Sequence, residues 1–466
     1  EWMMSMPINS FENYPMSWKP KRPQTNQPLY LAIADQLKQD IDRGVLLPGT
    51  KLPPQRELAD YLDVNVSTIS RAFKICENKG LISGAVGSGT FVAYDSLANS
   101  FIAPEYDTPR LIEMGYVFPE TTSYEEVAKQ VKKMIIESDF SKLFQYSSRD
   151  GVLWQKEAAV KFVQKSGYET TADHILSANG GQNAIVAILS GLFQPGDRIG
   201  TDPVTYPGIK TAAKMLGIQL VPIQQENNEM SEEGLLYACN NENIKGIYIM
   251  PDYQNPTTHI MSQSGRKMIA NIARERNLII IEDGIHSLLK DKPQKAVASY
   301  APEQTVYIAS LSKVIAPGLR LAYVVTPKKY KASLANSLHN INLSVSPFLE
   351  ELASRMIASK DAESLITAHR ELTIQRNQLV NQYLSKYSLL GSDECIFRWL
   401  LLPKGFTGEE FERLAYEEGV QVYGAERFAV GNAKPPSAVR LAISAPKNKE
   451  ELETALKILE RLLVTS

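Results

Sequence analysis

Between about residues 120 and 330, short apolar runs alternate with segments of helical length, and this alternation constrains the fold more than any other feature. Ile247-Tyr-Ile-Met250, Leu278-Ile-Ile-Ile281 and Val306-Tyr-Ile-Ala309 carry no charge, and stretches such as Met268 to Arg276 separate them. Strands buried on both faces read as continuous hydrophobic runs, and strand–helix alternation predicts a largely parallel sheet covered by helices. Ligands of such sheets sit outside the carboxyl ends of the strands. The residues that follow each run are therefore the candidates for chemistry.

After Val306–Ala309 come Ser310, Ser312, Lys313 and, past a Pro-Gly turn, Arg320. A lysine amine can form a Schiff base with a carbonyl cofactor, while hydroxyls and a guanidinium can hold a phosphate. After Leu278–Ile281 come Glu282 and Asp283, and a carboxylate at a buried strand end can keep a pyridine nitrogen protonated. After Ile247–Met250 the segment Pro251-Asp-Tyr-Gln-Asn255-Pro256 offers Asn255 as a donor to a phenolate oxygen. Upstream, Tyr206-Pro-Gly208 supplies a ring able to stack on a planar group, and Asn179-Gly-Gly181-Gln182 opens a helix-like stretch ending near Leu192. Free N–H groups at such a helix start suit an anion.

The amino-terminal part is built differently. Residues 1–27 carry Pro7, Pro15, Pro20 and Pro23 and are expected to form an extended arm. From residue 28 to 94, three helices are expected: one with Ile33, Leu37 and Ile41 on one face that stops at Gly44, one from Gln55 to Leu62, and one starting at Ser67 as its N-cap. Leu81–Ser83 and Thr90–Val92 flank Gly84, Gly87 and Gly89 as a hairpin, completing a winged helix-turn-helix. Residues 95–119 lack periodicity and are expected to be a linker, and residues 120–466 form the larger domain.

The 466 residues exceed one ordinary domain, which agrees with this division. Cys76, Cys239 and Cys395 and the five histidines show neither disulfide nor metal spacing, so no metal is expected and a reducing cytoplasm is favoured. No apolar run is long enough to span a bilayer, which argues against a membrane partner. The formal charge of −2 gives no sign of a nucleic-acid partner for the whole chain. From Pro28 to Tyr94, 4 Lys and 3 Arg face 5 Asp and 2 Glu, so 7 − 7 = 0 and even the small domain has no basic excess.

Two resemblances carry the sequence further. Pro28-Leu-Tyr30, Leu46–Pro53, Arg56-Glu-Leu-Ala59 and Gly87–Val92 resemble the DNA-binding domain of the GntR family of bacterial regulators. The resemblance implies that Ser67, Thr68, Ser70 and Arg71 face double-stranded operator DNA in the major groove while Arg56 and the wing meet the backbone. Val66 stands where that family often has a basic residue. From about Gly115 onward, the succession Gly-Gly-Gln, Tyr-Pro-Gly, Gln-Asn-Pro-Thr, Glu-Asp and Ser-x-Ser-Lys-x-x-x-Pro-Gly-Leu-Arg resembles the fold-type I aminotransferases, α/β proteins that bind pyridoxal 5′-phosphate (PLP).

By matched positions, Lys313 forms the PLP Schiff base, Asp283 pairs with the pyridine nitrogen, Asn255 meets the ring oxygen and Tyr206 stacks. Gly181, Gln182, Ser310, Ser312 and Arg320 belong to the cofactor site, and Arg440 in Ser437–Ser444 clamps a substrate carboxylate. Tyr146 matches a tyrosine sent into the neighbouring subunit's phosphate site, which implies a homodimer. Gly181 replaces a common serine, and His286 stands three residues after Asp283 where active aminotransferases commonly have tyrosine. The pairing of the two domains resembles the MocR subfamily, which implies a cytoplasmic transcription regulator sensing an amino-acid or amine effector, or PLP itself, at Lys313. The alternative is a PLP-dependent aminotransferase with a vestigial winged helix.

Overall fold

The computed structural model of the protein describes residues 16–24, 27–85, 89–94, 96, 111–120, 124–137, 139–146 and 151–464. Helices α1 (Leu29–Asp42), α2 (Gln55–Leu62) and α3 (Val66–Asn78) pack about Leu37, Leu58 and Ile69, all fully buried. The hairpin β1 (Ile82–Ala85) and β2 (Gly89–Val92) follows. Helix α3 starts earlier than the sequence suggested: its N-cap is Asn65, whose side-chain oxygen accepts from the Ser67 amide at 2.9 Å. Ser67 is thus inside the first turn. Helix α1 ends at Asp42, two residues before the expected stop, and Gly44 takes the left-handed turn beyond it (φ 72°).

The described end of the amino-terminal arm is not free. Trp18 is buried in the winged-helix core, and its indole N–H donates to Asp40 at 2.8 Å. Residues 1–15 lie outside the described set. The carboxyl end of the expected linker also belongs to a domain. Strand β3 (Ile112–Glu113) pairs in parallel with Val420–Gln421, and Met114 is fully buried among Leu452, Leu456 and their neighbours. An apolar anchor and a backbone ladder outweigh the absence of periodicity that suggested a linker through residue 119. Residues 95 and 97–110 lie outside the described set.

In the large domain, α4 (Tyr124–Ile136) and α5 (Leu153–Lys165) precede β4 (Ile175–Ala178), α6 (Gly181–Leu192), β5 (Arg198–Thr201), α7 (Pro207–Met215) and β6 (Gln219–Pro222). The small hairpin of β7 (Gln225–Glu226) and β8 (Glu229–Met230) leads through α8 (Glu232–Tyr237) to β9 (Gly246–Ile249), α9 (Gln263–Arg276), β10 (Ile279–Asp283), β11 (Thr305–Ser310) and β12 (Ala322–Val325). The seven-stranded sheet runs β4-β12-β11-β10-β9-β5-β6. It is parallel from β11 to β6, and β12 is antiparallel to both its neighbours. The three apolar runs are β9, β10 and β11, side by side at its centre.

Helices α10 (Lys328–Asn342), α11 (Pro347–Ala358) and α12 (Asp361–Leu384) lead to a second, four-stranded sheet. In it β13 (Leu389–Leu390), β14 (Phe397–Leu401), β17 (Ala438–Ala442) and β16 (Tyr423–Gly424) pair in that order. The strand partner of β3 is β15 (Val420–Gln421), and α13 (Gly408–Glu417) and α14 (Lys449–Val464) cover this part. Arg440 on β17 thereby reaches the mouth of the large sheet.

Candidate functional site

A cavity of about 290 Å³ opens at the carboxyl ends of β9, β10 and β11. Its lining includes Gly181, Gln182, Tyr206, Asn255, Asp283, Ser312, Lys313, Arg320 and Arg440. Ser310 lies just behind the wall, where its hydroxyl accepts from the Ser312 amide at 3.3 Å. The five segments singled out in the sequence therefore converge on one space.

Lys313 follows β11 and donates from Nζ to the Val117 carbonyl, with the Tyr116 ring centroid 5.7 Å away. Burial, together with the guanidinium groups of Arg440 and Arg320, lowers its pKa to about 7. A large share of the amine is uncharged near neutrality, as a nucleophile must be. Asp283 ends β10, 3% exposed. It accepts from Tyr248 Oη at 2.8 Å and from the Ile285 amide at 3.2 Å. Burial raises its pKa to about 6, against the pull of these two bonds. A cationic partner inside the cavity would restore the carboxylate's charge.

Another part of the lining is basic. Arg440 is 5% exposed; Nη1 donates to Asn255 Oδ1 at 2.6 Å and Nη2 to the Gly115 carbonyl at 2.5 Å. Since Asn255 spends its oxygen on Arg440, its NH₂ is the group left to donate. Arg440 Nε is buried without a hydrogen-bond partner. Phe428 lies 4.7 Å from this guanidinium, and burial lowers its pKa to about 10.

At the other end, α6 begins at Gly181 after Gly180 in a left-handed conformation (φ 87°). A Cβ on Gly180 would stand 2.5 Å from Arg320 Nη2, so glycine is required for the guanidinium to lie against this turn. Arg320 donates to Ser312 Oγ at 3.5 Å and to the Asn179 carbonyl at 3.4 Å, both neutral groups. Tyr206 precedes α7, and its hydroxyl donates to Gln182 Oε1 at 3.2 Å. A cationic fork, hydroxyls and helix-start amides at one end, an aromatic plate, a carboxylate and an amine form a donor set that fits PLP; the orphaned Arg440 Nε fits a carboxylate beside it.

Sequence reasoning missed several members of the site. Tyr248 sits inside an apolar run, where it read as packing, yet it holds Asp283. His286, which the sequence already set beside Asp283, is buried and lines the cavity. Its Nδ1 is 2.9 Å from the Tyr253 carbonyl, which can only accept, so Nδ1 carries the proton. Burial and the nearby Lys313 lower its pKa to about 3, so the ring is neutral. Tyr116 and Val117 fell within the expected linker. Tyr146 does not join its own chain's cavity: it is 84% exposed and lines a separate hollow with Asn179, Leu343 and Glu350. Residues 147–150 of its motif lie outside the described set.

On the winged helix, Arg56, Ser67 and Arg71 are exposed and Thr68 is half-buried. Ser70 is already engaged, donating to Gln55 Oε1 at 2.6 Å and to the Val66 carbonyl at 3.1 Å, so it ties α3 to α2. Residues 86–88 of the wing, with Gly87, lie outside the described set. Among the described residues no cluster could hold a metal ion, and no helix is long and apolar enough to cross a membrane.

A winged helix fused to an aminotransferase-like cofactor domain defines a class of transcription regulator, and comparison with known proteins places the chain in it. The bacterial regulatory proteins of the gntR family match residues 29–92, and aminotransferase class I and II matches residues 116–459. The chain belongs to the aminotransferase class I and II family through its larger part and, with its GntR domain, to the HTH-type transcriptional regulators of MocR type. An uncharacterized HTH-type transcriptional regulator of Bacillus subtilis (strain 168), YdeF, is 58% identical over 98% of this chain and 99% of its own. The vitamin B6 salvage pathway transcriptional repressor PtsJ of Salmonella typhimurium is 24% identical over 90% of this chain and 95% of its own. Kynurenine aminotransferase of Pyrococcus horikoshii shares the fold, with a TM-score of 0.70 and 20% identity over 79% of this chain and 96% of that one.

Proposed function

We propose that the protein is a DNA-binding regulator that holds PLP at Lys313 and responds to an amino acid, or to the cofactor itself, bound beside it. The observation that carries this reading is the enclosure of an amine of lowered pKa in one cavity with Asp283 and Arg440. When bound, PLP supplies an aldehyde for an amine to capture and a ring that withdraws electrons. Lys313 would capture the aldehyde, Asp283 would keep the ring nitrogen charged, Tyr206 would stack and Asn255 would donate to the ring oxygen. Arg320, Ser310, Ser312, Gln182 and the amides from Gly181 would take the phosphate. Arg440 would take the carboxylate of an effector whose amine displaces Lys313. Ser67, Thr68 and Arg71 would meet bases or phosphates, with Arg56 on the backbone; Ser70 would act through helix packing.

A homodimer is part of this reading. Phe144, Tyr146, Leu153 and Leu343 are exposed on the large domain, and Tyr146 and Leu343 line one hollow. Tyr146 shares its hollow with Asn179, whose carbonyl holds Arg320, so a second copy seated there would bring its own Tyr146 toward the phosphate end. A neutral His286 leaves the ring-oxygen side without a second donor, which favours sensing over fast turnover. The test is twofold: the purified protein should show PLP absorbance that Lys313→Ala removes, and it should protect DNA upstream of its own gene. A colourless wild type would sink the cofactor reading. An unprotected DNA with rapid amino-group exchange would make the protein an enzyme instead.

A further inference from the structure

Among the described residues, contacts of two kinds join the winged helix to the large domain, and the second kind leads to the cavity. The first is polar. Arg198, which opens β5, donates from Nη2 to Glu77 Oε1 on α3 at 3.4 Å, pairs through Nη1 with Glu242, and donates from Nε to Gln219 at 3.1 Å. Gln219 in turn donates to the Glu77 carbonyl at 3.3 Å. The carboxyl end of the helix expected to read DNA is therefore seated on the edge of the large sheet.

The second contact is apolar. Tyr94, just after the wing, donates its amide to the Gly431 carbonyl at 3.0 Å. Its ring lies over the Gly49 turn of the winged helix, where a Cβ would meet the phenol oxygen at 2.4 Å. The same ring packs in one cluster with Val204, Phe428, Ala429 and Tyr423. Phe428 stacks on Arg440, and Tyr423 lies 5.7 Å from it. Residues 428–430 are in turn laced to 203–205, directly before Tyr206, by the Thr205 amide to the Phe428 carbonyl (2.9 Å) and the Val430 amide to the Pro203 carbonyl (3.0 Å).

We propose that the segment Phe428–Gly431, with Tyr94, is a direct mechanical link by which occupation of Arg440 changes the seating of the winged helix on the large domain. The inference rests on the proposed function only for what occupies Arg440. Its physical basis is close packing. Phe428, Ala429 and Val430 are fully buried, so a guanidinium that turns to grip a carboxylate cannot leave the ring stacked on it in place. Three residues later the same backbone holds Tyr94. The route bypasses the segment 97–110 and needs no change in linker length. Coupling of this kind is reciprocal and amounts to a factor of about 5–150 between two sites.

Amide hydrogen exchange of the full-length protein tests the link without an effector. Arg440→Ala unstacks Phe428, and the Tyr94 amide and the amides of residues 77–85 should then exchange at least about 5-fold faster than in the wild type. Because Arg440 is buried, Phe428→Leu provides a second variant that keeps the core apolar, and it should produce the same change. Lys313→Ala, in the same cavity but off the path, should leave those amides unchanged. Faster exchange confined to the large domain in both variants would overturn the proposal. Both failures are separable: exchange is read without cofactor, so a wild type that never binds PLP overturns the proposed function while the exchange result still decides the link.

Discussion

In the winged helix Arg56, Ser67 and Arg71 stand exposed above a small core, whereas in the large domain Lys313, Asp283 and Arg440 are enclosed by two sheets. The difference is one of solvent. An exposed guanidinium works as a charge that salt screens, and a domain with equal numbers of acidic and basic residues gains little from the general field of DNA. Enclosure changes the groups themselves: it leaves Lys313 near pKa 7, Asp283 near 6 and His286 near 3. One region reads a partner by shape and placement, while the other has altered its side chains before any partner arrives.

The largest effect that would break this contrast is at Lys313. Lys313→Ala should abolish the Schiff-base absorbance of PLP, since among the described residues no second amine lines the cavity. Retention of the absorbance would show that another lysine is the attachment point. Next, Arg440→Ala should remove the spectral response to amino acids and leave cofactor absorbance intact. An unchanged response would place the carboxylate elsewhere.

Asp283→Asn removes one charge from a buried site. A charge-assisted bond contributes on the order of 1.5–3 kcal/mol, so PLP affinity should fall roughly 10- to 100-fold in equilibrium dialysis. A smaller loss would mean that Asp283 is protonated when the cofactor is bound. The lowered pKa of Lys313 also sets a pH dependence. The amine is mostly neutral above about pH 7 and charged below it. The rate of cofactor capture should therefore fall about tenfold per pH unit below 7 and level off above it. Without the surrounding burial and the two arginines, the fall would begin near pH 10.

How much of this was legible depends on whether a residue's role lies along the chain or across it. The three apolar runs announced β9, β10 and β11, and because a parallel sheet gathers its strand ends, Asn255, Asp283 and Lys313 could be placed together. Arg320 and Gly181 followed from turn chemistry. Tyr248 could not be separated from its apolar neighbours, because only the position of Asp283 one strand away gives its hydroxyl a purpose. Met114, Tyr116 and Val117 lie in a stretch without periodicity, and a two-residue strand leaves no pattern to detect. The N-cap of α3 was misplaced because Asn65 and Ser67 are both good caps, and only backbone geometry chooses between them.

The smallest expected effect tests the exposed side of the comparison. Arg71 is exposed, with its guanidinium 5.9 Å from the Tyr30 ring. If it meets a phosphate, Arg71→Ala should weaken binding to all sequences alike and reduce the slope of log affinity against log salt by about 1. If it reads a base, the loss should be about 1–3 kcal/mol, confined to the operator, with specificity relaxed at one position. Ser70→Ala is the internal control. Its hydroxyl already serves Gln55 and Val66, so any loss of DNA affinity should track a loss of thermal stability and leave the salt slope unchanged. A changed slope in Ser70→Ala would show that the hydroxyl leaves Gln55 for the DNA, and that the winged helix, like the large domain, rearranges to meet its partner.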